Sequence, residues 1–206
     1  MIANHIHDAL AQVRKLQEFL IEKRLFKGYS GTARIVSGSA ALAGAAILSS
    51  GSVPSDAHAH LIGWGVVLAV GIVVNYGCLL YWFLFDPEVR RSAVMLKPAL
   101  DAIPALGVGA VFTVALVAGQ HFDQLFGAWM CCYGLAQVAY RRSLPQGIYH
   151  VGLGYLVCGA YFLLSPSVTF LNPWPMGIVF FAGELAGGLV LLGNGAKGED
   201  EDEPEA

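Results

Sequence analysis

Charge is scarce in this chain and unevenly placed. Charged residues make up 13% of its 206 positions, against about a quarter in a soluble domain, so a surface wetted on all sides is excluded. Three of the connections between its apolar stretches hold no Lys or Arg at all. Those connections hold no Cys either. Cys78, Cys131, Cys132 and Cys158 all lie inside apolar stretches, which excludes a disulfide framework. The motifs of common enzyme chemistry are missing as well: there is no G-K-[ST] phosphate loop, no H-E-x-x-H and no G-x-S-x-G elbow. Gly38-Ser39 has no His at a matching depth, which leaves an intramembrane serine hydrolase without support. The only basic patch lies beside the first apolar stretch, where anionic lipid accounts for it better than nucleic acid does. These absences read as a protein that is not an enzyme, carries no cofactor and binds no nucleic acid.

What the chain does have is apolar length. Residues of hydrophobic type make up 56%, and six stretches stand out, near 31–50, 61–85, 101–119, 124–140, 146–164 and 174–193. A bilayer core about 30 Å thick needs about 20 apolar residues per helix. Six crossings leave no room for a soluble catalytic domain, and the lack of period-two alternation excludes a β-barrel. The expected fold is all-α: a polytopic bundle of six transmembrane helices over 31–194. A cytoplasmic amphipathic helix and linker precede it over 1–30, and a disordered acidic tail over 195–206 follows.

The twelve Lys and Arg set its orientation. Arg14, Lys15, Lys23, Arg24, Lys27 and Arg34 stand before or at the start of the first stretch. Arg90, Arg91 and Lys97 lie between the second and third, Arg141 and Arg142 between the fourth and fifth, and Lys197 after the sixth. All fall on one side, which the positive-inside rule makes the cytoplasm of a multi-pass inner-membrane protein with both termini inside. Glu199, Asp200, Glu201, Asp202, Glu203 and Glu205 crowd the tail; without them, twelve basic residues face nine acidic ones, and the body carries +3. No cleavable signal is expected, because the first 27 residues have no uninterrupted apolar core. The partners expected are the lipid bilayer, a protein bound through the N-terminal helix or the acidic tail, and a second copy of the chain.

Ile6, Leu10, Val13, Leu16 and Leu20 recur on one face of a helix over 4–27. Lys27-Gly28-Tyr29-Ser30-Gly31 ends it. The first stretch is rich in Gly38, Ser39, Ala40, Ala41, Ala43, Gly44, Ala45 and Ala46, a composition that lets helices approach closely and places it inside the bundle or at a subunit contact. A repeat at an offset of 45 pairs Ile103, Gly107, Gly109 and Ala115 with Ile148, Gly152, Gly154 and Ala160, which suggests three parallel helical hairpins.

Trp129-Met130-Cys131-Cys132-Tyr133-Gly134, followed by Leu144-Pro145 and a Gly-rich sixth stretch, resembles the second half of uncharacterised bacterial six-helix membrane proteins. The gap from the Tyr-Gly pair to the Pro is shorter here. The resemblance covers the last third of the chain. It implies a bacterial inner membrane and no particular activity.

Glu184 is the principal candidate for function. It lies at the centre of the sixth stretch, where an ionised carboxylate costs roughly 2.5–3.5 kcal/mol. No Lys or Arg is expected at its depth, so the reading is a neutral acid among neutral partners: Asn75, Thr113, Tyr133 and Tyr155 stand at comparable depth. Such a midplane cluster serves a proton-coupled transporter, or equally holds helices together. Gly183 and Gly187 form a G-x-x-x-G step beside Glu184, which turns this face towards another helix. At the outer ends, Asp56, His58, His60, His121 and Asp123 are weak candidates for a metal site. His150 reads as a packed, hydrogen-bonded histidine, and Cys131-Cys132 as small packing residues, since redox pairs use a C-x-x-C spacing. The functional expectation is a non-enzymatic membrane component that binds or organises protein partners; the alternative is a small transporter or channel, proton-coupled through Glu184.

Overall fold

The computed structural model describes residues 12–13, 29–85, 97–139, 141 and 143–200, with backbone alone at 97–98 and 195–200. Among the described residues every regular element is helical and there is no strand. Six long helices run α1 (Gly31–Ser49), α2 (Ala57–Phe85), α3 (Lys97–Ala118), α4 (Leu125–Ala139), α5 (Gln146–Leu164) and α6 (Trp174–Asp200), with a 3₁₀ turn, Phe122–Gln124, before α4. Of the N-terminal amphipathic helix, Gln12 and Val13 are described and are helical; the remainder of 4–27 lies outside the described residues, as do 201–206 of the acidic tail.

Local chemistry sets several boundaries. The Ser30 hydroxyl accepts the Ala33 N–H at 3.2 Å and caps α1. The Asp56 carboxylate does the same for α2, accepting from His58 and Ala59 at 2.9 and 3.0 Å. The α3–α4 hairpin turns on Gln120, whose φ of 58° lies in the left-handed region, while the His121 N–H reaches back to the Leu116 carbonyl. Pro104 is carried inside α3, as membrane helices allow.

Among the described residues, five helices are long and apolar enough to cross a membrane: α1, α2, α5, and the segments Ala99–Ala118 and Trp174–Asn194 of α3 and α6. The chain is thus built as a multi-pass membrane protein. The element at the expected fourth crossing, α4, has 15 residues, about 22 Å at 1.5 Å per residue, and falls short of that length. The second stretch begins four residues earlier than its hydropathy suggests, because Asp56 caps the helix upstream. The tail also differs from expectation: 195–200, read as disordered, continue α6 to Asp200.

Neighbouring helices are antiparallel, and their main contacts run in the order α2, α1, α6, α5, α4, α3, folding back so that α2 also meets α4 through Trp64 and Phe126 and α1 meets α4 through Arg34 and Gln137. The first helix packs most extensively on the last. The next largest contact joins α4 to α5, and the sequential pair α5–α6 meets much less. The hairpin repeat finds no counterpart in these environments. A Cβ on Gly152 would meet α4 within 3 Å, whereas its match Gly107 faces open space; Gly109 lies against Cys132, whereas its match Gly154 faces nothing.

Two seams of small residues hold the bundle. Between α1 and α6, a Cβ on Gly31 would stand 2.5 Å from the Gly188 carbonyl oxygen, and one on Gly177 would stand 2.5 Å from the Ala45 Cβ. Between α4 and α5, Gly127 faces the Gly159 carbonyl and Gly134 the Gly152 carbonyl, each at 2.8 Å from the Cβ position. Lipid tails are as apolar as Leu, so such close backbone approach is what drives these contacts. The expectation that α1 sits inside the bundle is met: Ala41 and Ala45 are buried. The edge helices are different. Ile62, Val66, Val73 and Leu80 of α2 and Ile103, Val111 and Val114 of α3 are exposed apolar side chains, as suits a surface bathed in lipid.

The far end, opposite the Gly31 end of α1, is closed by aromatic rings. Phe170 of the α5–α6 connection is 1% exposed. It packs against Phe126 at 5.0 Å and Phe122 at 6.0 Å between ring centroids, and its N–H donates to the Asp123 carboxylate at 2.7 Å.

Gly159→Ala is expected to destabilise the bundle by about 1–3 kcal/mol through overpacking, since the new Cβ meets the Gly127 and Cys131 backbones. Gly154→Ala, which meets nothing, should stay within about 1 kcal/mol of the parent. Unfolding in mixed micelles, followed by helical circular dichroism, measures both.

Candidate functional site

Three of the four buried polar or charged residues among those described, Arg34, Gln137 and Glu184, gather at one place. Arg34 stands in the first turn of α1, and its extended side chain reaches deeper, towards Glu184 of α6. The Arg34 Nη2 donates to Glu184 Oε1 at 2.9 Å, forming an ion pair. The same oxygen accepts the Tyr133 hydroxyl of α4 at 2.8 Å and the Tyr155 hydroxyl of α5 at 3.1 Å. Arg34 Nη1 donates to the side-chain oxygen of Gln137 at 3.1 Å. Four helices therefore meet at one carboxylate. Arg34, Gln137, Tyr155 and Glu184 are 6%, 2%, 2% and 3% exposed, so the group is sealed. Phe180 lies 5.3 Å from the Tyr133 ring and 5.1 Å from the Tyr155 ring, and Tyr133 meets Tyr155 edge-on at 5.1 Å. These rings exclude water from one side of the carboxylate.

The presence of Arg34 corrects the expectation that Glu184 lies beyond the reach of any cation. A guanidinium stays protonated in proteins, so the acid has a permanent counter-charge, not neutral partners alone. Sequence position places Arg34 at the helix start, but four side-chain carbons and nitrogens carry its head inward, much as such side chains reach towards water when unpaired. The antiparallel register does the rest. A Cβ on Gly38 would stand 2.7 Å from the Glu184 Cβ, which sets Glu184 about one turn above Arg34.

Two of the four expected partners are present. Tyr133 and Tyr155 bind Glu184, whereas Asn75 and Thr113 do not. The Asn75 amide donates to Ser37 of α1 at 2.7 Å and to the Gly71 carbonyl at 2.9 Å. The Thr113 hydroxyl donates to the Gly109 carbonyl and accepts the Trp129 indole N–H, each at 2.8 Å. Equal depth brought these residues to the right level but not to the right side of their helices. Gln137 was missed, although it lies one helical turn beyond Tyr133 and hence on the same face.

The G-x-x-x-G step also has another use than expected. A Cβ on Gly187 would stand 2.8 Å from the Arg34 Cζ, and one on Gly183 would collide with the Tyr155 phenol. These glycines make room for side chains of the cluster. Gly188 is the one that meets a neighbouring backbone, with the Gly31 carbonyl 2.7 Å from its Cβ position.

The weak metal candidates at the far end have separate occupations. His58 packs edge-on against Phe122 at 5.5 Å, buried His60 faces Phe170 at 6.4 Å, and His121 lies beside Gly119. Asp123 holds the Phe170 N–H and Asp56 caps α2. Among the described residues no three His, Cys, Asp or Glu side chains come together to hold a metal ion. His150 is exposed; the expected hydrogen bond is present, with Nδ1 2.9 Å from the Gln146 carbonyl oxygen, and the ring meets Tyr149 edge-on at 5.6 Å, but it is not buried. The four cysteines are free.

No family model, curated protein or solved structure matches the chain.

Glu184→Leu leaves a guanidinium buried without its counter-charge and is expected to cost about 3–5 kcal/mol. Tyr133→Phe and Tyr155→Phe each remove one of three donors at the same oxygen, for roughly 0.6–1.7 kcal/mol. Unfolding titrations in bilayers or micelles should rank them in that order; equal losses would contradict the ion pair as the dominant contact.

Proposed function

We propose that this chain is a non-enzymatic component of a bacterial inner membrane that binds or organises protein partners, with six crossings and both termini in the cytoplasm. The observation that carries this reading is the mutual pairing of Arg34, Glu184, Tyr133, Tyr155 and Gln137 across four helices. Glu184 is ion-paired, takes three hydrogen bonds on one oxygen and is 3% exposed. A carboxylate held in that way serves to join helices. The one-sided distribution of Lys and Arg supports the orientation. An even number of crossings supports a shared side for the two ends, with α4 and its preceding 3₁₀ turn as a short fourth crossing. The partner surfaces in this reading are the N-terminal amphipathic segment and the acidic tail. The resemblance of the last third to bacterial six-helix proteins belongs to the same proposal.

The alternative, a small proton-coupled transporter or channel, draws support from the convergence of four helices on one acid. A proton carrier must exchange its proton with water, however, and the Arg34 counter-charge and aromatic collar oppose that. Purified protein in liposomes containing a pH-sensitive dye decides between the two. The expected result is no proton flux beyond that of empty liposomes, for the parent and for Glu184→Gln alike. A flux present in the parent and abolished in Glu184→Gln would sink the proposal and establish transport through this residue.

A further inference from the structure

The bundle divides into two layers of three helices. One holds α2, α1 and α6, with α1 at its centre; the other holds α3, α4 and α5, with α4 at its centre. Within a layer, backbones lie close: a Cβ on Gly31 meets the Gly188 carbonyl, and one on Gly127 meets the Gly159 carbonyl. Between the layers, glycines meet side chains instead. A Cβ on Gly147 of α5 would stand 2.7 Å from the Val190 side chain of α6, and one on Gly183 of α6 would meet the Tyr155 phenol of α5. Large side chains fill the plane. Trp64 packs on Phe126 towards the far end, Phe180 on Tyr133 and Tyr155 at the centre, and Ile148 and Leu191 share a cluster at the Gly31 end.

Charge is divided unequally across this plane. Arg34 and Glu184 both belong to the α1 layer and are paired inside it. What the α4 layer offers them is neutral. The Tyr133 and Tyr155 hydroxyls donate to Glu184 Oε1, and the Gln137 side-chain oxygen accepts from Arg34. Parting two helices of a layer opens a glycine seam, and parting α1 from α6 also strands two buried charges. Parting the layers leaves the ion pair whole and gives up hydrogen bonds to neutral groups, for which water substitutes at small net cost. Exposure of Ile148 and Leu191 to water keeps such an open state minor. The far end is tied differently. Phe170, in the connection from α5 to α6, packs on Phe122 and Phe126, faces His60 of α2, and donates its N–H to Asp123.

We propose that the two layers are rigid bodies that part at the Gly31 end, with the aromatic knot around Phe170 as hinge and Tyr133, Tyr155 and Gln137 as latch, admitting water to the Arg34–Glu184 pair from that end alone. The far end stays shut, so the motion makes no path across the membrane and stands apart from the question of proton flux. α1 begins and α6 ends at the mouth of the opening, in the same layer. A partner that held both chain ends would therefore act on one layer and bias the two states.

The test uses the full-length chain in lipid nanodiscs, with Cys78, Cys131, Cys132 and Cys158 replaced by Ala and spin labels in pairs at exposed positions. Leu80 and Ile103 span the plane at the Gly31 end, Ile62 and Val114 span it towards the far end, and Leu80 and Leu189 lie within one layer. Tyr133→Phe, Gln137→Leu and Tyr155→Phe together undo the latch and keep the ion pair. In this triple variant the Leu80–Ile103 pair should gain a longer-distance population, while the other two pairs keep the parent distances. An unchanged Leu80–Ile103 distance overturns the latch, and equal broadening of all three pairs overturns the rigid layers. If the triple variant does not fold, Tyr155→Phe alone is read with the same three pairs and by the same criteria.

Discussion

A positive charge in the first helix and a negative charge in the last, 150 residues apart in sequence, can be buried in this bundle only together. Moving either alone away from water is costly, and their mutual attraction in a low-dielectric interior offsets that cost only when the geometry is good and the remaining donors and acceptors are used. The bundle comes close to that condition by bringing α4 and α5 to the same place, leaving Arg34 Nε buried without a partner. Tyr133 and Tyr155 saturate one oxygen of Glu184, and Gln137 takes a second Arg34 donor. Gly183 and Gly187 are needed because a guanidinium and a phenol must fit between helix backbones. The approach of α6 to α1, α4 and α5, and of α1 to α4, serves the same requirement.

The division of labour among helices is equally physical. α1 and α6 are the most buried crossings, and α2 and α3 the least. Their sequences agree. α1 is built of Ala, Gly and Ser, which let backbones approach, whereas α2 is a nearly unbroken run of Val, Ile, Leu and aromatic residues with only His60, Trp64 and Leu79 buried. An apolar residue on α2 costs nothing when it faces lipid, so this helix needs no amphipathic stripe.

Much of this was legible in the sequence. Hydropathy marked the helices because a bilayer imposes their length, and the small residues of α1 announced a packed helix. Glu184 stood out because an acid at that depth demands an explanation. Its partners were harder to find. Depth can be read from sequence, but the side of a helix that faces a given neighbour depends on which helices adjoin, and nothing local records that the first helix lies against the last. Asn75 and Thr113 were therefore grouped with Glu184 by level although their helices turn them towards Ser37 and Trp129. Arg34 was set aside because its backbone lies near the helix start, when the length of its side chain decides where its charge resides. Gln137 carried the faintest signal, one turn from Tyr133, and gained meaning only once Arg34 was in place.

The partnership of α1 with α6 has a consequence in time. At a synthesis rate of about 5–20 residues per second, the 150 residues separating Arg34 from Glu184 take on the order of 8–30 s to appear. Throughout that interval α1 has neither its counter-charge nor the helix that fills its glycine seam. Its guanidinium lies close enough to the membrane boundary to remain in the headgroup region, where long basic side chains are stable. The birth of the last helix is thus the event that joins the first to the already adjoining α3, α4 and α5, and it supplies the charge and the glycine face that α1 lacks until then.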